Sequence, residues 1–118
     1  MSSFTFYDPG HGNSAQAKDW WEDDDGAIAF VLNKSTDDKR RVWDLTTYLA
    51  SGESVSSAAY SDRGMTTSSK SVSTPQIIFT ATGYGETEVQ ATLSTGRVVT
   101  RVFRSYPPSG VVHRDYQT

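Results

Sequence analysis

The stretch Gln76-Ile-Ile-Phe-Thr-Ala-Thr-Gly-Tyr-Gly-Glu-Thr-Glu-Val-Gln-Ala-Thr-Leu-Ser-Thr-Gly-Arg-Val-Val-Thr-Arg-Val-Phe-Arg-Ser-Tyr106 decides the fold. Ile77, Phe79 and Ala81 alternate with Ile78, Thr80 and Thr82, and the run stops at Gly83-Tyr84-Gly85. Successive side chains of a strand point to opposite faces, so a period of about two residues marks a half-buried strand. Val89, Ala91 and Leu93 make a second such run and Val98, Thr100 and Val102 a third, with Ser94-Thr95-Gly96-Arg97 between them. A two-residue turn at Thr95-Gly96 sets Leu93 opposite Val98, Ala91 opposite Thr100 and Val89 opposite Val102, which makes one face of the hairpin apolar throughout. A three-residue loop sets Leu93 opposite Arg97 instead. The face that is buried holds the register, and on that ground the two-residue turn is preferred.

Toward the N-terminus, 12 of the 25 residues from Ser51 to Pro75 are Ser or Thr, with Val55, Tyr60, Met65 and Val72 as the sizeable apolar points. Hydroxyl side chains suit strands and bond turn backbone, so this part reads as short strands with a turn at Gly64; a disordered linker is the competing reading. Gly26-Ala-Ile-Ala-Phe-Val-Leu32 suits a buried extended segment ending in the polar turn Asn33–Asp38, and Arg40–Leu45 alternates around Trp43, the natural centre of a small core. No stretch of ten or more residues has helical spacing. Short strands, frequent turns and an aromatic centre point to an all-β, immunoglobulin-like antiparallel β-sandwich over residues 31–105.

Residues 1–30 read as an extended N-terminal docking arm, punctuated by Pro9-Gly10, Gly12-Asn13 and Gly26 yet holding Phe4, Phe6, Tyr7, Trp20 and Trp21. Aromatic surface that dense is costly to expose, so the arm is expected to order against a partner or its own domain. Residues 106–118 form a C-terminal tail in which Pro107, Pro108 and Tyr116 are further candidate docking points.

At 118 residues the chain fits one domain, and an apolar fraction of 36% leaves it a thin core or one completed by a neighbour. It has no cysteine, which excludes a disulfide framework, a thiolate zinc site and a cysteine nucleophile. No apolar run approaches the roughly 18 residues of a membrane span, and Met1–Tyr7 lacks a basic segment followed by an apolar one, so neither a membrane-embedded chain nor signal-peptide secretion is expected. The net charge of −3 is unevenly spread. Asp8, Asp19, Glu22, Asp23, Asp24 and Asp25 crowd the first 30 residues against Lys18 alone, while Arg97, Arg101, Arg104 and Arg114 crowd the last 22 against Asp115. Such an asymmetry pairs one end of a molecule with its neighbour's other end or folds back within one chain; it is not the basic excess of a nucleic-acid reader.

The motifs carry little chemistry. Gly52-Glu53-Ser54-Val55-Ser56 falls one glycine short of the nucleophile elbow, no helix follows it, and the only histidines, His11 and His113, lie near the chain ends. Glu22–Asp25 lacks the spaced ligands of a calcium loop, since position 34 is Lys34 where the closing glutamate belongs, and reads as solvated charge beside the Trp pair. Gly83-Tyr84-Gly85 has neither the third glycine nor the helix of a dinucleotide site. Arg97, Arg101 and Arg104 face Glu86 and Glu88 and read as intra-sheet pairs. No enzyme, cofactor or metal site is expected.

Taken in order, Lys34-Ser-Thr-Asp-Asp38, Val42-Trp-Asp-Leu45, Tyr48-Leu-Ala-Ser-Gly-Glu-Ser-Val55, Tyr60, Gly83-Tyr-Gly85 and Ala91-Thr-Leu-Ser-Thr-Gly-Arg97 resemble the fiber-tail adaptor proteins of tailed bacteriophages over residues 31–105. The resemblance implies an immunoglobulin-like sandwich in the virion neck or tail, assembled in the host cytoplasm. It would be held by the portal or connector ring, by tail or fiber proteins and by copies of itself in a ring, with no catalytic residues and no nucleic-acid or membrane partner. A capsid decoration protein uses the same parts, and a carbohydrate-binding module would set Tyr48, Tyr60 and Tyr84 on one exposed face.

Overall fold

The computed structural model describes residues 3–7 and 20–108, the backbone alone for residues 3–7 and Trp20. The strands are β1 (Ser3–Tyr7), β2 (Trp20–Glu22), β3 (Ile28–Val31), β4 (Asp38–Asp44), β5 (Val55–Arg63), β6 (Thr66–Ser73), β7 (Gln76–Thr82), β8 (Gly85–Leu93) and β9 (Val98–Tyr106). They form two sheets, β1-β4-β7-β6 and β2-β3-β9-β8-β5. In an immunoglobulin sandwich the first, second, fifth and fourth strands make one sheet, while the third, sixth and seventh make the other. The sheets here reproduce that arrangement with β1, β4, β7 and β6 facing β5, β8 and β9, and β3 and β2 are added beside β9. The fold is therefore the all-β, immunoglobulin-like sandwich expected from the strand pattern. Its pairs are antiparallel except β1 with β4 and β3 with β9, which run parallel.

The expected run at Ile77, Phe79 and Ala81 is β7, and all three side chains are fully buried. Trp43 is also fully buried, and its ring meets Phe103 edge-on at 5.7 Å. Phe103 in turn meets Phe79 at 5.3 Å, and Phe79 meets Tyr60 at 5.6 Å, all in edge-to-face contact. Such contacts set the positive ring edge against the negative ring face, so this aromatic row fixes the orientation of both sheets as well as filling space. The Ser/Thr-rich middle is β5 and β6 and not a linker. The chain crosses from one sheet to the other at Gly64-Met65, with Met65 buried. That crossing presses on Gly85, where φ is 146° and a Cβ would run into the Arg63 carbonyl and lie 2.6 Å from the Met65 nitrogen.

The β8–β9 register differs from the expected one. Ala91 pairs with Val99, Val89 with Arg101 and Thr87 with Phe103, because Ser94-Thr95-Gly96 is a three-residue loop with Gly96 at φ 93°. Leu93 N–H donates to the Arg97 carbonyl at 2.8 Å, so Leu93 does lie opposite Arg97. Glycine at positive φ is what such a loop demands. The one-residue slip turns Val98 and Val102 to the outside, leaving Val98 49% exposed, and turns Phe103 into the core.

The boundary expected at residues 30/31 falls inside β3, and the one at 105/106 cuts off the last residue of β9. The arm joins the sandwich: β1 pairs with β4 in one sheet, and β2 pairs with β3 in the other. Ala27, Ile28, Ala29, Phe30 and Leu32 are all buried, which is why this segment cannot remain an arm.

Candidate functional site

At one end of the sandwich, the turn after β4 meets the β8–β9 loop. Gly52, at φ 81°, turns the chain so that Glu53 points inward, and its side chain is 1% exposed. Its two oxygens accept from Arg97: Nε reaches Oε2 at 2.9 Å and Nη2 reaches Oε1 at 2.5 Å. Thr95 Oγ1 donates to Oε2 and the Ala50 N–H to Oε1 at 2.9 Å. The Arg97 hydrogen bonds, followed by those from Thr95 and Ala50, hold the Glu53 carboxyl down to about 2. Arg97 also caps the Tyr48 ring at 4.8 Å and donates to the Tyr48 carbonyl at 3.2 Å. This bidentate clamp explains how Arg97 is tolerated opposite Leu93: its charge is taken up by Glu53. Ser54, beside Glu53, is held through its backbone. Its N–H donates to Ser94 Oγ at 3.0 Å and its carbonyl accepts from the Ser94 N–H at 2.8 Å, a strand-joining role.

On the outer face of the second sheet, Arg104 of β9 gathers the acidic turn between β2 and β3. Nη1 lies 2.9 Å from Asp23 Oδ2, and Nη2 lies 2.9 Å from Asp25 Oδ2 and 2.8 Å from Glu86 Oε1. Glu86 holds Arg63 on its other oxygen at 2.6 Å. These cations lower the Glu86 carboxyl, Arg63 most, and Arg104 lowers Asp25. The expectation of solvated acidic charge is thus corrected at Asp23. That side chain is buried and accepts from Trp21 Nε1 at 2.7 Å and from the Tyr106 hydroxyl at 2.7 Å. The charge asymmetry folds back within one chain through Asp23, Asp25 and Arg104, because β3 lies directly beside β9.

Trp21 is likewise corrected as a docking residue. Only 8% exposed, it stacks on Tyr106 with centroids 5.8 Å apart, over Ala29 and Val31. Trp20 stands beside Phe30, and Phe30 beside Ser105, so the start of β2 and the exit of the chain at Pro107 and the exposed Pro108 share one end of the sheet. This end is opposite the Glu53–Arg97 clamp, since β9 runs from one to the other. Phe4, Phe6 and Tyr7 are in β1, described by backbone alone, and Tyr116, His11 and His113 lie outside the described residues.

The third feature is the open side. β5 and β6 are the last strands of their sheets on the side away from β1 and β2. Two ties join β5 to β6 and the turn after it: Val55 N–H donates to Thr74 Oγ1 at 2.9 Å, and Asp62 accepts from Thr67 N–H at 3.1 Å and from Thr67 Oγ1 at 3.0 Å. Burial raises the Asp62 carboxyl, but hydrogen bonds from Thr87 and Thr67 outweigh it and leave it below its usual range. Between the ties lies a groove of about 310 Å³ lined by Ser56, Ser57, Ala58, Tyr60, Lys70 and Val72. Lys70 Nζ sits 5.0 Å from the Tyr60 ring centroid. The Tyr60 hydroxyl is shut off from solvent and meets no hydrogen-bond partner among the described residues, and burial together with Asp62 pushes it up to about 12.

Tyr48, Tyr60 and Tyr84 do not form a sugar-binding platform: Tyr48 is under Arg97, and Tyr60 and Tyr84 pack against the core. Among the described residues no group of three or more His, Asp and Glu is placed to hold a metal ion, and no helix is long and apolar enough to cross a membrane. Comparison of the chain with family models, curated proteins and solved structures found no match. The expected intra-sheet pairing of Arg104 with Glu86 is present, whereas sequence reasoning singled out neither the clamp nor the joining of Asp23 and Asp25 to Arg104. Glu53 and Arg97 are 44 residues apart, and the only local sign was that each sits beside a glycine turn.

Proposed function

We propose that this chain is a non-catalytic structural protein of a tailed-phage virion, an adaptor in the neck or tail region that joins the connector or tail to fibers and is present in several copies. The observation that carries the reading is the Glu53–Arg97 clamp. Gly52-Glu53 and Thr95-Gly96-Arg97 belong to two of the segments that carry the resemblance, and their joining supplies a physical reason for both to occur in one immunoglobulin-like sandwich. Further support comes from the polarity of the molecule. Trp20 and Pro107-Pro108 stand at one end as candidate docking elements, and the rigid clamp braces the loops of the other. Charged pairs satisfied within the chain leave docking to apolar contact and backbone.

Quantitative mass spectrometry of purified particles tests the reading. The chain is expected at the stoichiometry of the portal or a neck ring. Copies at the level of the major capsid protein would make it a decoration protein, and absence from particles would overturn virion membership.

A further inference from the structure

The chain has one Asp-Gly bond, Asp25-Gly26, and no Asn-Gly bond. Glycine has no Cβ to hinder its own nitrogen, so an aspartate that precedes it is open to attack on its side chain by the next amide. In that reaction the Gly26 nitrogen bonds to Asp25 Cγ, and the amide proton and the carboxyl hydroxyl leave as water. Water then opens the five-membered imide at either carbonyl, which restores aspartate or leaves the main chain running through the side chain as isoaspartate. The carboxyl has to be protonated to react, since an ionised carboxylate has no hydroxyl to lose.

The fold uses both residues. Asp23 N–H donates to the Ala27 carbonyl at 2.8 Å, and Asp24-Asp25-Gly26 is the three-residue loop between that pair, with Gly26 at φ 90° where such a loop needs glycine. Asp25 gives Arg104 a carboxylate, and its side chain is 60% exposed, so water reaches it. The reacting groups are nevertheless all held. Arg104 Nη2 donates to Asp25 Oδ2 at 2.9 Å and Nη1 to Oδ1 at 3.3 Å, and the Ala27 N–H donates to Oδ1 at 3.1 Å. The Gly26 N–H, the attacking group, donates to the Asp23 carbonyl at 2.8 Å. Arg104 is itself fixed by Asp23 and Glu86. These bonds favour the ionised carboxyl and keep it below its usual range, and lowering a carboxyl by one pH unit cuts its neutral fraction about tenfold.

We propose that Asp25 is the site at which this chain ages, by isomerisation to isoaspartate through the Gly26 nitrogen, and that Arg104 is the positioning residue that slows it. The guanidinium fork holds both carboxylate oxygens while the turn holds the amide, so the nucleophile and the carbon it attacks are kept from meeting. Conversion would reach beyond its own residue. Isoaspartate adds one atom, its Cβ, to the main chain of the three-residue loop and moves the carboxylate off Arg104, which disturbs the Asp23–Ala27 closure and the Trp21 and Tyr106 contacts made through Asp23. The inference does not rest on what the chain joins, and it stands whether or not the chain is a virion component.

The intact chain would be incubated at neutral pH, folded and in urea, and isoaspartate located by methyl labelling with an isoaspartyl methyltransferase followed by peptide mapping. In urea isoaspartate should appear at Asp25 ahead of every other aspartate, and in the folded chain at least about tenfold more slowly. Arg104→Ala, shown to be folded by a cooperative urea transition, should recover most of the rate seen in urea. Arg63→Ala removes a cation that meets Glu86 in the same network, and should keep the parent's rate. If Arg104→Ala does not fold, Arg104→Lys takes its place, since it leaves a cation beside Asp23 but no fork, and a rate between the two limits is expected. A folded parent that isomerises as fast as in urea, an Arg104 variant at the parent's rate, an equal acceleration by Arg63→Ala, or isoaspartate forming first at another aspartate would each overturn the proposal.

Discussion

Two regions of this molecule handle polar groups removed from water in opposite ways. On the outer face of the second sheet, the Arg104 guanidinium meets three carboxylates, and the buried Asp23 among them also accepts from Trp21 and Tyr106. On the open side, among the described residues, the buried Tyr60 hydroxyl has no hydrogen-bond partner and Lys70 above it has no salt bridge. A satisfied network fastens strands together: here it joins the β2–β3 turn to β9, β8 and β5 in one row. An unsatisfied donor shut inside the fold costs stability and fastens nothing. The contrast separates a network that fastens strands together from a hydroxyl that fastens none.

The contrast can be broken most forcefully at Arg104. Arg104→Ala strands the buried Asp23 and releases Asp25 and Glu86, and urea unfolding should show a loss of about 2 kcal/mol. Trp21 fluorescence should change along with it, since Asp23 is the acceptor of the Trp21 indole. An unchanged midpoint would mean that the network contributes nothing net.

A smaller effect, visible mainly through pH, is expected at the loop end. The Glu53 carboxyl is held at about 2 in the folded chain against an ordinary 4.5. Its ionised form therefore contributes stability that is fully present above pH 4.5 and is lost as pH falls toward 2. Glu53→Gln should be less stable than the parent at neutral pH, and the gap should close through that window in acid denaturation profiles. A gap independent of pH would show that the clamp acts by shape and not by charge.

The smallest effect has the opposite sign. Tyr60→Phe removes the unpartnered hydroxyl while retaining the ring on Phe79, and should stabilise the isolated chain by up to about 1 kcal/mol in the same urea measurement. Destabilisation would mean that the hydroxyl already serves the fold.

Much of this architecture was legible in the sequence. The alternation at Ile77, Phe79 and Ala81, the central place of Trp43 and the turn at Gly64 all led to the sandwich, because strand period and glycine punctuation are local signals. The β8–β9 register was not. An apolar count favoured Val98 and Val102 inside, but the loop Ser94-Thr95-Gly96 and the distant Glu53 together made Arg97 acceptable opposite Leu93 and turned Phe103 inward. The arm was expected to order against a partner or its own domain, but its strand pairing was not legible, for a related reason. Trp20–Glu22 is too short to show a period, and its place in the sheet comes from pairing with β3.

What the amino-acid sequence by itself determined is the class of the fold and the inventory of its parts: strands, turns, an aromatic centre and charges of both signs. Beyond the Glu86–Arg104 pair of the β8–β9 hairpin, tertiary structure decided which charges met. Asp23 with Arg104 and Glu53 with Arg97 are 81 and 44 residues apart, and no local pattern encodes an encounter that arises only when two sheets bring their edges and turns into register. It also decided which polar group was left over, since a hydroxyl lacks a partner only by virtue of everything packed around it.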